Sequence, residues 1–196
     1  MSKYTSLRPE LAFLGKEQKS SLNSASLNYL ELSMKLEKLF MRMFEFYSGD
    51  PKQIQHFIKV HSFARRIGLA EGLDEGELEI LEAAAVVHDI GIKPALEKHG
   101  SSSGNFQELE GPPVAEQMLR ELGYAAAVVE RVCYLVGHHH SYDRIDGADY
   151  QILVEADFLV NIYEGGMSAD SVRSVLKKIF RTETGTRLCN LLFQPN

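Results

Sequence analysis

Residues Ala83–Val87 form a run without one polar side chain, and the run stops at His88-Asp89. Val86 and Val87 are β-branched, but the window around them is Ala-rich and favours helix. The rest of the chain repeats the helical signal. Leu27, Leu30, Met34, Leu36, Leu39, Phe40, Met43 and Phe44 recur at helical spacing, which predicts a helix from Ser24 or Ser26 to about Tyr47. Ser48-Gly49-Asp50-Pro51 is a break, with Asp50 as N-cap and Pro51 at the first position of the next helix. That helix carries Ile54, Phe57, Ile58, His61, Phe63, Ala64 and Ile67 and ends near Gly68 to Gly72. Asp74 and Glu75 open the apolar helix, and Gly91 and Pro94 are expected to stop it. Residues 92–111 read as a long connection centred on Ser101-Ser102-Ser103-Gly104, and long loops often cover functional sites. Pro112 and Pro113 are expected to start a helix to about Leu122. Further helices are expected over 124–136, 149–164 and 168–180, and Thr182, Thr184 or Thr186 begins a short last one before Pro195. Strand signals are scarce, so the expectation is an all-α bundle of roughly seven to nine helices.

The length of 196 residues suits one domain with an appendage and allows a core that needs no disulfide. The expected division is an N-terminal arm and helix over 1–48, a main domain over 49–181, and a C-terminal helix and tail over 182–196 that packs on it. The formal net charge of -6 argues against a nucleic-acid polymer as partner. It leaves room for a small phosphorylated substrate, because a local cluster of metal and cations can outweigh the global field. Cys133 and Cys189 form no CxxC pair and read as reduced thiols. No apolar run is long enough to cross a bilayer, and Met1 to Gly15 lacks the pattern of an export signal. The expected location is the cytoplasm, without membrane attachment. The amphipathic N-terminal helix either caps the bundle or pairs with another copy as a homodimer.

Ionisable groups at the edge of an apolar segment need partners, because burying them alone is costly. A lone His-Asp pair at a helix end is more often satisfied by the backbone than by a ligand. This pair has company. His61 lies mid-helix among Val60, Phe63 and Ala64, and Asp157 lies mid-helix between Ala156 and Phe158. The four residues sit on three helices and interrupt faces that should point into one bundle. A divalent metal gives them a common purpose, since imidazole and carboxylate suit Mn, Fe, Co, Ni or Zn. His138-His139-His140 follows the 124–136 helix, and one or two of these can ligate. Glu110, just before Gly111-Pro112-Pro113, is a helix cap or a ligand of a second ion. Arg65 falls one turn after His61 on the same face; it, Lys93 and Arg144 are candidate phosphate clamps. His56 is five residues before His61 and so about 140° away around the helix. On that ground it is set aside as a ligand, and His99 is taken as exposed.

This pattern resembles the HD-domain superfamily of metal-dependent phosphohydrolases. The resemblance runs from His61 in "KVHSFARRIG", through "AAAVVHDIG" with His88 and Asp89 and then "GHHHSYD", to Asp157 in "VEADFLVN". It covers about residues 50–180 and implies a single HD-domain-like helical bundle with an N-terminal helical extension. It implies that His61, His88, Asp89 and Asp157 hold the main metal, with Glu110, His138 and His139 at a second ion. Glu110 stands where such proteins usually have His, so one ion or two stays open. The metal is one of Mn, Fe, Co, Ni, Zn or Mg. Asp89 is implied to bridge the ions and orient water, with Arg65 and Lys93 assisting. The lysine follows Ile92, one place later than in the HDIGK of many relatives. The cyclic-dinucleotide signature GYP is missing after the histidines. The implied activity is hydrolysis of a phosphate ester, on a nucleotide or another small metabolite. The alternatives are a di-iron oxygenase on the same scaffold and a non-catalytic nucleotide or effector sensor.

Overall fold

The computed structural model describes residues 24–195. Among these residues every regular element is a helix. There are nine: α1 (Ser24–Phe46), α2 (Pro51–Ala70), α3 (Glu75–Val87), α4 (Ile92–His99), α5 (Gly104–Glu121), α6 (Ala126–Val136), α7 (Ala148–Glu164), α8 (Ala169–Ile179) and α9 (Glu183–Phe193). The expected all-α bundle is what forms. Local chemistry sets several starts. Asp50 accepts a hydrogen bond from the Gln53 amide, with Pro51 in the first turn. Asp74 and Glu77 form a reciprocal capping box at α3. Ser168 and Thr182 cap α8 and α9. Each such cap is worth about 0.5–2 kcal/mol.

Helix α3 is the hub. Leu81 and Ala83 to Val87 have no exposed surface. The helix packs on α1, α2, α6 and α7, which explains why it carries apolar residues on every side. Each buried Val or Leu contributes about 1.5–3 kcal/mol relative to exposure. The hub ends at His88, so the first ionisable groups after the apolar run emerge inside the bundle rather than at its rim.

The 92–111 segment differs from its expected form. It holds α4 and the first part of α5, not one long connection. Helix α4 is short and closes on Gly100 in the left-handed region (φ 67°), so it never builds a readable apolar stripe. Pro94 does not block it, because a proline in the first turn lacks only an amide that has no intrahelical partner there. Pro112 and Pro113 lie inside α5 rather than at its start. Packing of α5 on α4 and α6 outweighs the two amide bonds they forfeit. The packing is close: a Cβ on Gly91 would lie 2.4 Å from the Gln107 carbonyl oxygen, and one on Gly111 would lie 2.7 Å from Val136 Cγ1. Glycine at these places brings α5 against the turn that carries His88 and Asp89. No described helix is long and apolar enough to cross a membrane.

Candidate metal centre

Four elements deliver side chains to one point beneath the end of α3. His88 caps that helix, Asp89 follows in the turn, His56 comes from α2 and Asp157 from the middle of α7. His139 and His140 come from the turns after α6. His56 Nε2 lies 3.2 Å from His88 Nε2 and 3.1 Å from Asp157 Oδ1. His88 Nε2 is 3.6 Å from both Asp157 Oδ1 and Asp89 Oδ2. Asp89 faces two ways: Oδ2 is 3.5 Å from His56 Nε2, and Oδ1 is 3.5 Å from His139 Nε2. The donor atoms fall into two groups, His56, His88 and Asp157, then Asp89, His139 and His140, each spanning no more than 4.8 Å.

The outer hydrogen bonds orient these donors inward. His88 Nδ1 donates to the Ala85 carbonyl at 3.0 Å, and His139 Nδ1 to the Val136 carbonyl at 2.9 Å. His56 Nδ1 meets Glu164 Oε2 at 3.0 Å. An imidazole that donates from Nδ1 presents a lone pair at Nε2, the arrangement that outer partners impose on metal-binding histidines. Gln53 Nε2 donates to Asp89 Oδ2 at 2.9 Å, and the Tyr47 hydroxyl donates to the Asp89 carbonyl at 2.7 Å. The carboxylate is thus held from behind.

The donor set fits a divalent cation. Buried His139 Nε2, His140 Nε2 and Asp157 Oδ1 have no well-formed hydrogen bond among the described residues. Two imidazole lone pairs 3.2 Å apart need positive charge beside them. Bonds of ~2.0–2.2 Å from metal to nitrogen or oxygen give donor–donor edges of roughly 3.0–3.5 Å, the spacing seen here. Without a cation, protons must supply that charge. Burial alone would lower the basicity of His56, but Asp157, Asp89 and Glu164 raise its pKa to about 9. His88 also moves up, because Asp89 and Asp157 outweigh its burial. Burial would raise both carboxylates, yet the facing histidines hold Asp89 and Asp157 well below the usual range. His140 goes the other way: burial and His139 push it down to about 4, which leaves it neutral and ready to donate a lone pair.

The structure brings together His88, Asp89, Asp157 and His139 among the residues singled out in the sequence. It corrects the others. His61 is not at this site; its Nε2 lies 3.0 Å from Glu82 Oε1, and its ring packs edge-on to Phe40. Arg65 shares that Glu82 oxygen at 2.7 Å, so it too faces away. The expectation that His61 and Arg65 share a face is right, but the face is the wrong one. His56, set aside because it points about 140° from His61, takes the place assigned to His61. Lys93 reaches the Phe46 carbonyl and ring at the surface. Glu110 pairs with Lys98 and with His99 at 2.9 Å, so it stands outside both donor groups, and His99 is its partner rather than a free surface group. His138 Nδ1 bonds the Tyr134 carbonyl at 2.7 Å while its ring stacks on Tyr134, so His140 rather than His138 joins His139.

Sequence reading also passed over Gln53 and Glu164. A signal for His56 was present: Val60, Ala64 and Ile67 continue its line along α2, and all three have no exposed surface. His61 instead continues to Arg65, which is a less buried line.

The HD domain family model matches residues 54–179. A solved structure of a predicted HD superfamily hydrolase from an uncultured Thermotogales bacterium is 24% identical. It aligns with a TM-score of 0.57 over 88% of this chain and 92% of that one, which shows a shared fold. No curated protein matches this chain.

Proposed function

We propose, because this chain belongs to the HD domain family, that it is a metal-dependent hydrolase of a phosphate ester, acting on a nucleotide or another small phosphorylated metabolite. The observation that carries this reading is Asp89, whose two carboxylate oxygens face two separate groups of nitrogen and oxygen donors. His56, His88, Asp89 and Asp157 would hold one divalent ion, and Asp89, His139 and His140 would hold a second. A divalent cation there would supply a water acidified toward neutral pH, and positive charge for phosphoryl oxygens.

The protein's own part is positioning. Glu164, Ala85 and Val136 fix which nitrogen each histidine presents. Gln53 keeps the Asp89 carboxylate from turning. Neutral His140 adds a donor that stays unprotonated far below neutral pH. The net charge of -6 favours a small substrate drawn by the local metal field over a polyanionic polymer.

The test is a panel of nucleotides, sugar phosphates and phosphodiesters, with inorganic phosphate or product read by chromatography. Each is run with Mn, Co, Ni, Mg and Fe. The expected result is metal-dependent turnover of at least one compound, abolished in Asp89→Ala. Oxygen consumption by an iron-loaded protein, or tight nucleotide binding without turnover under every metal, would replace this reading with an oxygenase or a sensor.

A further inference from the structure

On another face of α2 lies a second recess, bounded by α1, α3 and Tyr124, with a volume of about 510 Å³. That size falls within the ~300–1,000 Å³ typical of small-molecule sites. Its walls are apolar, from Leu32, Leu36 and Leu78 with Tyr29 and Tyr124. Its polar groups include His61, Arg65 and the carboxylates of Glu37, Glu75, Glu79 and Glu82. None of these belongs to the metal centre.

The charge balance selects the ligand. Glu82 is already committed, because His61 Nε2 at 3.0 Å and Arg65 at 2.7 Å converge on its Oε1. Those two partners hold its pKa down against burial. Glu79 has no such pair. Its Oε1 is buried without a hydrogen-bond partner among the described residues, and Lys35 stands off at 3.9 Å. Burial raises its pKa, with Lys35 opposing and Glu75 adding. A buried acceptor without a well-formed hydrogen bond is costly to keep. The neighbouring Tyr124 ring is suited to a cation, since Lys35 Nζ already sits 5.6 Å from its centre. Arg65, the one Lys or Arg among the lining residues, is spent on Glu82. An anion would therefore meet the carboxylates of Glu37, Glu75 and Glu79, of which Glu79 has only the long 3.9 Å contact with Lys35.

We propose that this recess is a binding site, separate from the metal centre, for a small organic amine with an apolar or aromatic body. The ammonium group bonds Glu79 beside Tyr124, and the body lies against the leucines and Tyr29. The chemistry is opposite in sign to that of a phosphate substrate, so one molecule class does not serve both sites.

The test is calorimetric titration of the full-length, metal-loaded protein with 2-phenylethylamine, and with 2-phenylethanol as its uncharged counterpart. The amine is expected to bind saturably at one site, and the alcohol at least about tenfold more weakly, as befits loss of a charged hydrogen bond. Glu79→Gln is expected to weaken the amine about tenfold and leave the alcohol unchanged. Ser33→Trp, an exposed lining position, fills the recess and should block both. His88→Ala, which disables the metal centre, should leave the affinity intact. Absence of saturable amine binding, equal affinity for amine and alcohol, or insensitivity to both Glu79→Gln and Ser33→Trp would overturn the proposal.

Discussion

His56 and His61 share a helix, and five residues of separation set their rings about 140° apart. One ring therefore enters the donor group with His88 and Asp157 while the other meets Glu82. Metal binding should register that difference. In a titration with Mn, His56→Ala should weaken binding by more than the ~10–100-fold that loss of an outer-shell partner costs. Glu164→Gln, which removes only the outer partner of His56, should fall within that range. His61→Ala should leave Mn affinity unchanged, and equal losses in His56→Ala and His61→Ala would contradict the geometry described. The contrast also shows what is legible at the scale of single residues. His88, Asp89 and Asp157 announce themselves because they interrupt apolar runs. His56 follows Lys52, Gln53 and Gln55 and looks like part of a polar face. Only the line through Val60, Ala64 and Ile67 marks it as buried, and that line competes with an equally regular one through His61 and Arg65.

At the scale of elements, the turn that holds Asp89 depends on how closely α5 approaches it. Gly91 leaves no room for a methyl group, since the obstacle is the Gln107 backbone carbonyl at 2.4 Å and not a movable side chain. Gly91→Ala should cost about 1–3 kcal/mol by overpacking, lowering Tm by about 2–4 °C for each kcal/mol in a domain of this size. It should also weaken Mn binding, because the displaced turn carries Asp89. Gly100→Ala is the control: its φ of 67° strains an alanine, but nothing lies within 4 Å of the added carbon. It should lower Tm, by about 1–2 kcal/mol of stability, and spare Mn binding. Thermal melts and titrations on the same samples separate the two. The long helices α1, α2, α3 and α7 could be read from the sequence, α2 and α3 with the help of their caps. Helices α4 and α5 could not, because the feature that builds them is a glycine contact between segments sixteen positions apart, from Gly91 to Gln107. Proline in α5 pointed to a boundary that tertiary packing overrides.

At the scale of the whole molecule, the centre couples protons, metal and folding. Without a cation, Asp89 and Asp157 are compensated by protonated histidines. The pKa of His56 is raised from 6.5 to about 9 on folding. Its contribution to stability is therefore complete below about pH 6.5 and is lost as pH rises toward 9. Metal must displace such protons, so its affinity should rise with pH over the same window, by up to tenfold per pH unit for each proton released. The two slopes oppose each other. In EDTA, the melting temperature should fall between pH 6.5 and 9, to the extent set by His56 and His88. With Mn at a fixed concentration, the stabilisation added by metal should grow across that range. At one hundred times Kd it reaches about 2.7 kcal/mol, or roughly 5–10 °C for a domain of this size. His61→Ala should reproduce both slopes, because its ring belongs to the other recess, whereas His56→Ala should flatten them. A metal-induced gain in Tm that shrinks as pH rises would mean that the cation binds somewhere other than among these histidines.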